Sequence, residues 1–185
     1  MKILAIAGSN SGVSINKKLA AYAATLFEGS NEFEVIDMDA FEMPIYKHER
    51  EVSGGVPQLA HDFAAKIDQA DVLVISLAEY NGTYSTAFKN VFDWVSRIKD
   101  RSVFQNIPML LMATSPGGRG GLGVLEAATV RFPLHGGNII ETFSLPFFQD
   151  AFDTTLNVIK NEEKNTELKE KVAKIAQLEK VLLSN

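Results

Sequence analysis

The chain has no cysteine among its 185 residues. That removes thiol nucleophiles, disulfides and cysteine-held zinc or iron–sulfur centres together. Any redox chemistry must then sit on a bound group, and the absence also fits a reducing compartment. Blocks of basic residues are missing too, and the net charge is −5. Nucleic-acid binding needs a clustered positive face, and so does binding to anionic membranes. No run approaches the roughly 20 apolar residues of a membrane-spanning helix. Ala5-Ile6-Ala7 has the form of a signal-peptidase site, but only a few apolar residues precede it, against roughly 7–15 in a secretory leader. A cytoplasmic location is the expectation. The histidines, His48, His61 and His135, show no paired or H-E-x-x-H spacing, so no metal is expected. Asn10 stands where a nucleophile elbow would require serine, which excludes that serine-hydrolase motif.

What is present alternates. Hydrophobic residues make up 46% and charged residues 22%, a globular composition whose length suits one domain over residues 1–185. Ile3–Ala7, Val72–Leu77 and Pro108–Ala113 are short continuous apolar runs, the pattern of strands covered on both faces. Glu34–Asp37 and Asn138–Phe143 read as two more, the former less apolar and so an edge. Between them fall helical patterns. One starts near Asn16; others run over about Pro57–Ala70, with Leu59, Phe63 and Ile67 on one face, and about Ser85–Ile98, with Phe88, Val91, Phe92 and Val95 inward. A further helix covers about Leu122–Leu134, and the C-terminal one carries Leu168, Val172, Ile175, Leu178 and Leu182. Ala40–Val56 reads as a long irregular loop. Phe147, Phe148 and Phe152 form an apolar cluster that reads first as core, and Trp94 reads as core or interface. Five strands alternating with five helices indicate a doubly wound α/β fold, whose ligands bind beyond the carboxyl ends of the strands.

Three loops at that end stand out. Gly8-Ser9-Asn10-Ser11-Gly12-Val13-Ser14-Ile15-Asn16 is rich in hydroxyl and amide groups and precedes a helix, whose free N–H groups attract phosphate. It fits neither G-x-G-x-x-G nor the P-loop, and the same residues could be an ordinary N-cap. Glu79-Tyr80-Asn81-Gly82-Thr83 holds a tight Asn-Gly turn between tyrosines, able to present backbone amides and aromatic surface to a flat ring. Ser115-Pro116-Gly117-Gly118-Arg119-Gly120-Gly121 is bare of bulk, so backbone can approach a ligand closely.

Together these loops resemble the NADPH-dependent FMN reductase family, which includes quinone, azo-dye and chromate reductases. The family shows G-S-x-R-x-x-S-x-N, then P-E-Y-N-x-S leading to L-K-N-x-x-D-W, then S-x-G-x-x-G-G. Here Gly8-Ser9, Ser14 and Asn16 match the first, Glu79–Thr83 with Phe88-Lys89-Asn90 and Asp93-Trp94 the second, and Ser115–Gly121 the third. The resemblance implies a flavodoxin-like three-layer sandwich with a five-stranded parallel sheet in the order 2-1-3-4-5. It implies non-covalent FMN, NADPH or NADH as donor, ping-pong hydride transfer to a quinone, azo compound or flavin, and a homodimer or homotetramer. The residues so implied for the cofactor are Ser9, Ser11, Ser14, Ile15, Asn16, Glu79, Tyr80, Asn81, Gly82, Thr83, Ser115, Gly117, Gly118, Gly120 and Gly121, with no catalytic side chain. The family's first-loop arginine is Ser11 here, with Lys17 or a neighbouring subunit as a substitute, and Ala78 and Ser85-Thr86 replace its prolines and glycine. Two alternatives stay open: a flavodoxin-like electron carrier, and a non-enzymatic redox-responsive regulator.

Overall fold

The structure, a computed structural model, describes residues 1–27 and 32–183. The strands are β1 (Lys2–Gly8), β2 (Glu32–Ile36), β3 (Val72–Leu77), β4 (Glu79–Tyr80), β5 (Thr83–Tyr84), β6 (Pro108–Thr114), β7 (Asn138–Leu145), β8 (Phe152–Asp153) and β9 (Val158–Ile159). The helices are α1 (Ile15–Thr25), α2 (His48–Gly54), α3 (Gln58–Asp68), α4 (Thr86–Val95), α5 (Leu122–Arg131), α6 (Phe148–Ala151) and α7 (Glu162–Leu183). One sheet runs β2-β1-β3-β6-β7, and every neighbouring pair in it is parallel. Counting only these strands, the order is the expected 2-1-3-4-5.

The apolar runs become the central strands because both of their faces are covered. Each residue of β3 is buried. One face packs on α3, α4 and α5 through Phe63, Ile67, Phe88, Phe92, Leu125 and Phe132. The other packs on α1, α6 and α7 through Leu19, Ala23, Phe148, Leu168, Val172 and Ile175. Phe132, fully buried, lies 4.5 Å ring to ring from Phe104. Emptying such a site costs about 3–5 kcal/mol.

Several expectations change. Ala40–Val56 is not irregular throughout: it holds a 3₁₀ turn over Met38–Phe41 and the helix α2. On α3 the buried stripe is Ala60, Phe63, Ala64 and Ile67, while Leu59 faces outward. On α7 Leu178 is exposed, and the Leu182 side chain lies outside the described residues. The helix expected to reach Leu134 ends at Arg131 and tightens into a 3₁₀ turn over Phe132–His135. Of the phenylalanine cluster, Phe148 and Phe152 are core, but Phe147 is exposed with φ of 50°, rare for a bulky residue. Trp94 is core.

Candidate functional site

The chain leaves β1 for one side of the sheet and returns through β3 on the other, so a crevice opens where the order reverses. The loops after β1, β3 and β6 meet there. Ser9, Ser11, Ser14, Ile15, Asn16, Glu79, Tyr80 and Ser115 line one cavity of about 250 Å³.

The first loop is a chain of serine turns. Ser11 N–H donates to Ser9 Oγ at 3.2 Å, Val13 N–H to Ser11 Oγ at 3.4 Å and Lys17 N–H to Ser14 Oγ at 3.1 Å. Ser14 thereby caps α1. Each hydroxyl oxygen is thus an acceptor toward the backbone, and none of the three hydroxyl protons has an acceptor among the described residues. These are three free donors beside a helix start. The N–H groups of Ile15 and Asn16 in the first turn of α1 are also unclaimed, since the loop's backbone bonds run from Ser14 to Ser11 and from Lys18 to Ser14. The donor set suits a phosphate.

The Asn16 side chain does something else. It is buried; its carbonyl accepts from Ser76 Oγ at 2.7 Å and from Thr114 N–H at 3.1 Å, and its amide donates to Thr114 O at 3.2 Å. It ties β1's loop to β3 and β6, so its backbone N–H is what it can offer an anion. Lys17, the expected substitute for the missing arginine, is paired in this structure with Asp37, its Nζ 2.6 Å from Asp37 Oδ2. That pairing, with the Asp39 N–H on the other oxygen, holds the Asp37 carboxyl below the usual carboxylate range.

The second loop is an antiparallel hairpin, Glu79 opposite Tyr84 and Tyr80 opposite Thr83. Asn81 and Gly82 take φ of 51° and 80°, the two left-handed residues of a type I′ turn. The Glu79 carboxylate accepts from Val124 N–H at 3.0 Å and so caps α5, which starts from Gly121 without a side-chain cap. What this hairpin leaves to a ring is its backbone and the half-exposed Tyr80. Asn81 faces a neighbouring groove, and Gly82 and Thr83 line neither cavity.

In the third loop, Ser115 Oγ donates to Gly117 O at 3.2 Å. Gly120 and Gly121 take φ of 56° and 80°. A methyl group at Gly118 would meet the Phe147 ring at 2.7 Å, at Gly120 it would collide with Ser144 Oγ, and at Gly121 it would meet the Ala113 Cβ at 2.6 Å. Packing against the chain itself dictates these three glycines. Gly117, the fourth glycine of the loop, faces open space.

A second cavity of about 450 Å³ adjoins the first, with Tyr80 common to both. Its lining includes Met38, Phe41 and Met43, which sequence patterning did not single out as site residues. The signal was in the helix: Asn90 and Trp94 lie four apart on α4. Asn90 donates to Met43 O at 2.9 Å and accepts from Tyr46 N–H at 2.8 Å, and Trp94 Nε1 donates to Pro44 O at 2.7 Å. Together they clamp the segment that walls the groove.

The family model described as NADPH-dependent FMN reductase matches residues 1–150. A 2-hydroxy-1,4-benzoquinone reductase from Burkholderia sp. is 32% identical over 120 residues, covering 65% of this chain and 63% of that protein, just under two thirds of its length. An NADPH:quinone oxidoreductase from Arabidopsis thaliana is 30% identical over 166 residues, 86% of this chain and 82% of its own. Among solved structures, FerB, a flavoenzyme NAD(P)H:(acceptor) oxidoreductase from Paracoccus denitrificans, superposes with a TM-score of 0.74 at 22% identity, covering 97% of both chains. At that identity the likeness speaks for the fold.

Proposed function

We propose, on the premise that this chain belongs to the NADPH-dependent FMN reductase family, that it binds FMN non-covalently and reduces a small quinone, azo compound or flavin with NADPH or NADH. The carrying observation is that three serine hydroxyls and two helix N–H groups without an acceptor among the described residues belong to residues lining one cavity of the crevice. Ser9, Ser11, Ser14 and the N–H groups of Ile15 and Asn16 would hold the phosphate. The backbone around Asn81 and Gly82, with Tyr80 and Ser115, would border the ring. FMN, when bound, would supply the hydride-accepting chemistry that protein side chains do not carry. The protein fixes its orientation and excludes water, and no side chain is assigned as acid or base. In the overall reaction the nicotinamide gives up a hydride, and a quinone takes two electrons and two protons, the second proton from solvent.

The same reading takes residues 1–185 as one domain, since α7 packs on the sheet that residues 1–150 build. It includes a homodimer or homotetramer, supported by Leu122, Val130 and Leu134, which lie exposed on and just after α5. A cytoplasmic site of action is supported by the lack of cysteine; no described helix is long and apolar enough to cross a membrane.

The competing reading, a regulator without cofactor affinity, draws on a specific observation: Ser11 replaces the arginine, and Lys17 is committed to Asp37. One experiment separates them. Titrating flavin-free protein with FMN should quench flavin fluorescence at micromolar concentrations, and the loaded protein should oxidise NADPH or NADH in the presence of a quinone. Absence of quenching would hand the case to the regulator.

A further inference from the structure

We infer that the 450 Å³ groove beside Tyr80 is the acceptor site, and that it selects uncharged or cationic aromatic carbonyl compounds over anionic ones. This rests on the flavin reading above. Tyr80, half exposed, walls both the groove and the smaller cavity, so a flat molecule in the groove lies next to whatever the three loops hold. The groove has an apolar floor, with Met38, Phe41 and Met43 all buried, and Asn90 and Trp94 hold that floor in place.

The polar groups are asymmetric. From α4, Thr86 and Ala87 line the groove, and their N–H groups at the helix start have no acceptor among the described residues, Ser85 Oγ having taken the Phe88 N–H. They can donate to a carbonyl oxygen. Against them stand Asp39 and Glu42, which have no ion-pair partner among the described residues, while the nearby Asp37, Glu51 and Asp93 all do. No lysine, arginine or histidine lines the groove. A helix start carries about half a positive charge, so two carboxylates outweigh it. A neutral carbonyl keeps its hydrogen bonds, whereas a sulfonate or carboxylate meets net repulsion.

The test uses the FMN-loaded full chain and a redox-inert probe pair, coumarin and coumarin-3-carboxylate, in calorimetric titrations. Coumarin should bind at least about tenfold tighter. The gap should fall below about threefold in the Asp39→Asn/Glu42→Gln double variant, and should also narrow in high salt, which screens exposed charge. In turnover, kcat/KM for 1,4-naphthoquinone relative to its 2-sulfonate should shrink in the double variant by a similar factor; comparing variant with wild type cancels the quinones' intrinsic reactivity. Matching melting temperatures and FMN affinities show that the variant is folded. Equal binding of the two coumarins, or a preference that the double variant leaves intact, overturns the inference. No turnover with any quinone, beside a preserved charge preference in calorimetry, sinks the flavin reading and leaves the groove's selectivity standing.

Discussion

The loop after β1 and the loop after β6 reach the same crevice from the strands on either side of β3, yet they are built on opposite terms. In the first, serines satisfy the backbone with their oxygens, and their protons have no acceptor among the described residues. In the second, Gly118, Gly120 and Gly121 are small because Phe147, Ser144 and Ala113 leave no room for more. One loop keeps side-chain donors free for the proposed phosphate; the other gives up side chains where the fold leaves no room for them. Both look like ligand loops in a sequence, because a purpose and a packing constraint leave the same mark there.

The sharpest break of that contrast is in stability. Gly120→Ala and Gly121→Ala each force a methyl group into occupied space at a left-handed φ, and each should destabilise the chain by about 2–4 kcal/mol in urea unfolding. Gly117→Ala, facing open space, should be neutral or stabilising by up to about 1 kcal/mol. If all three behave alike, packing does not explain the loop.

The next effect is on affinity. Ser9→Ala or Ser11→Ala removes one hydroxyl donor to the proposed phosphate, and hydrogen bonds to a charged group are worth about 1.5–3 kcal/mol, or roughly 10–100-fold in FMN dissociation constant. Riboflavin, which lacks the phosphate, should bind either variant as it binds the wild type. A parallel loss for riboflavin would show that the serines act on the ring or on the fold instead. Ser11→Arg should tighten FMN by about tenfold, through a charge-assisted contact.

How far the sequence reached follows from where each signal resides. The central strands were legible because burial on both faces writes itself as an unbroken apolar run, as in Val72–Leu77. Helix α2 was not, because it buries no residue and so carries no apolar period. It is held instead by Tyr46 and Arg97 on Glu51. Leu59 misled because Ala60 and Ala64, too small to stand out, form the true inner stripe. At the site, the motif positions were visible but their division of labour was not. Asn16 is bonded to Thr114, 98 residues away, and Gly118 answers to Phe147; such partners exist only once the sheet has formed.

The smallest effect tests the cation left out of the first loop. Lys17 sits one turn from Ser14, the cap of α1, yet its Nζ is on Asp37. Lys17→Met should therefore change FMN affinity by no more than about twofold, well under one charge-assisted hydrogen bond. The pair is half exposed, with the two side chains 42% and 48% accessible, so losing it should cost at most about 0.5 kcal/mol. Hydrogen bonding to Lys17 is the largest cause of the depressed Asp37 carboxyl. A depressed carboxylate contributes stability above its unfolded value, near 3.9 for aspartate, and loses it as pH falls through the folded one. The difference between wild type and Lys17→Met should thus be present at neutral pH and vanish on acidification below the folded value. A large loss of FMN affinity in Lys17→Met would mean that the lysine leaves Asp37 for the phosphate when the cofactor arrives, and the serine loop would no longer stand alone as the anion site.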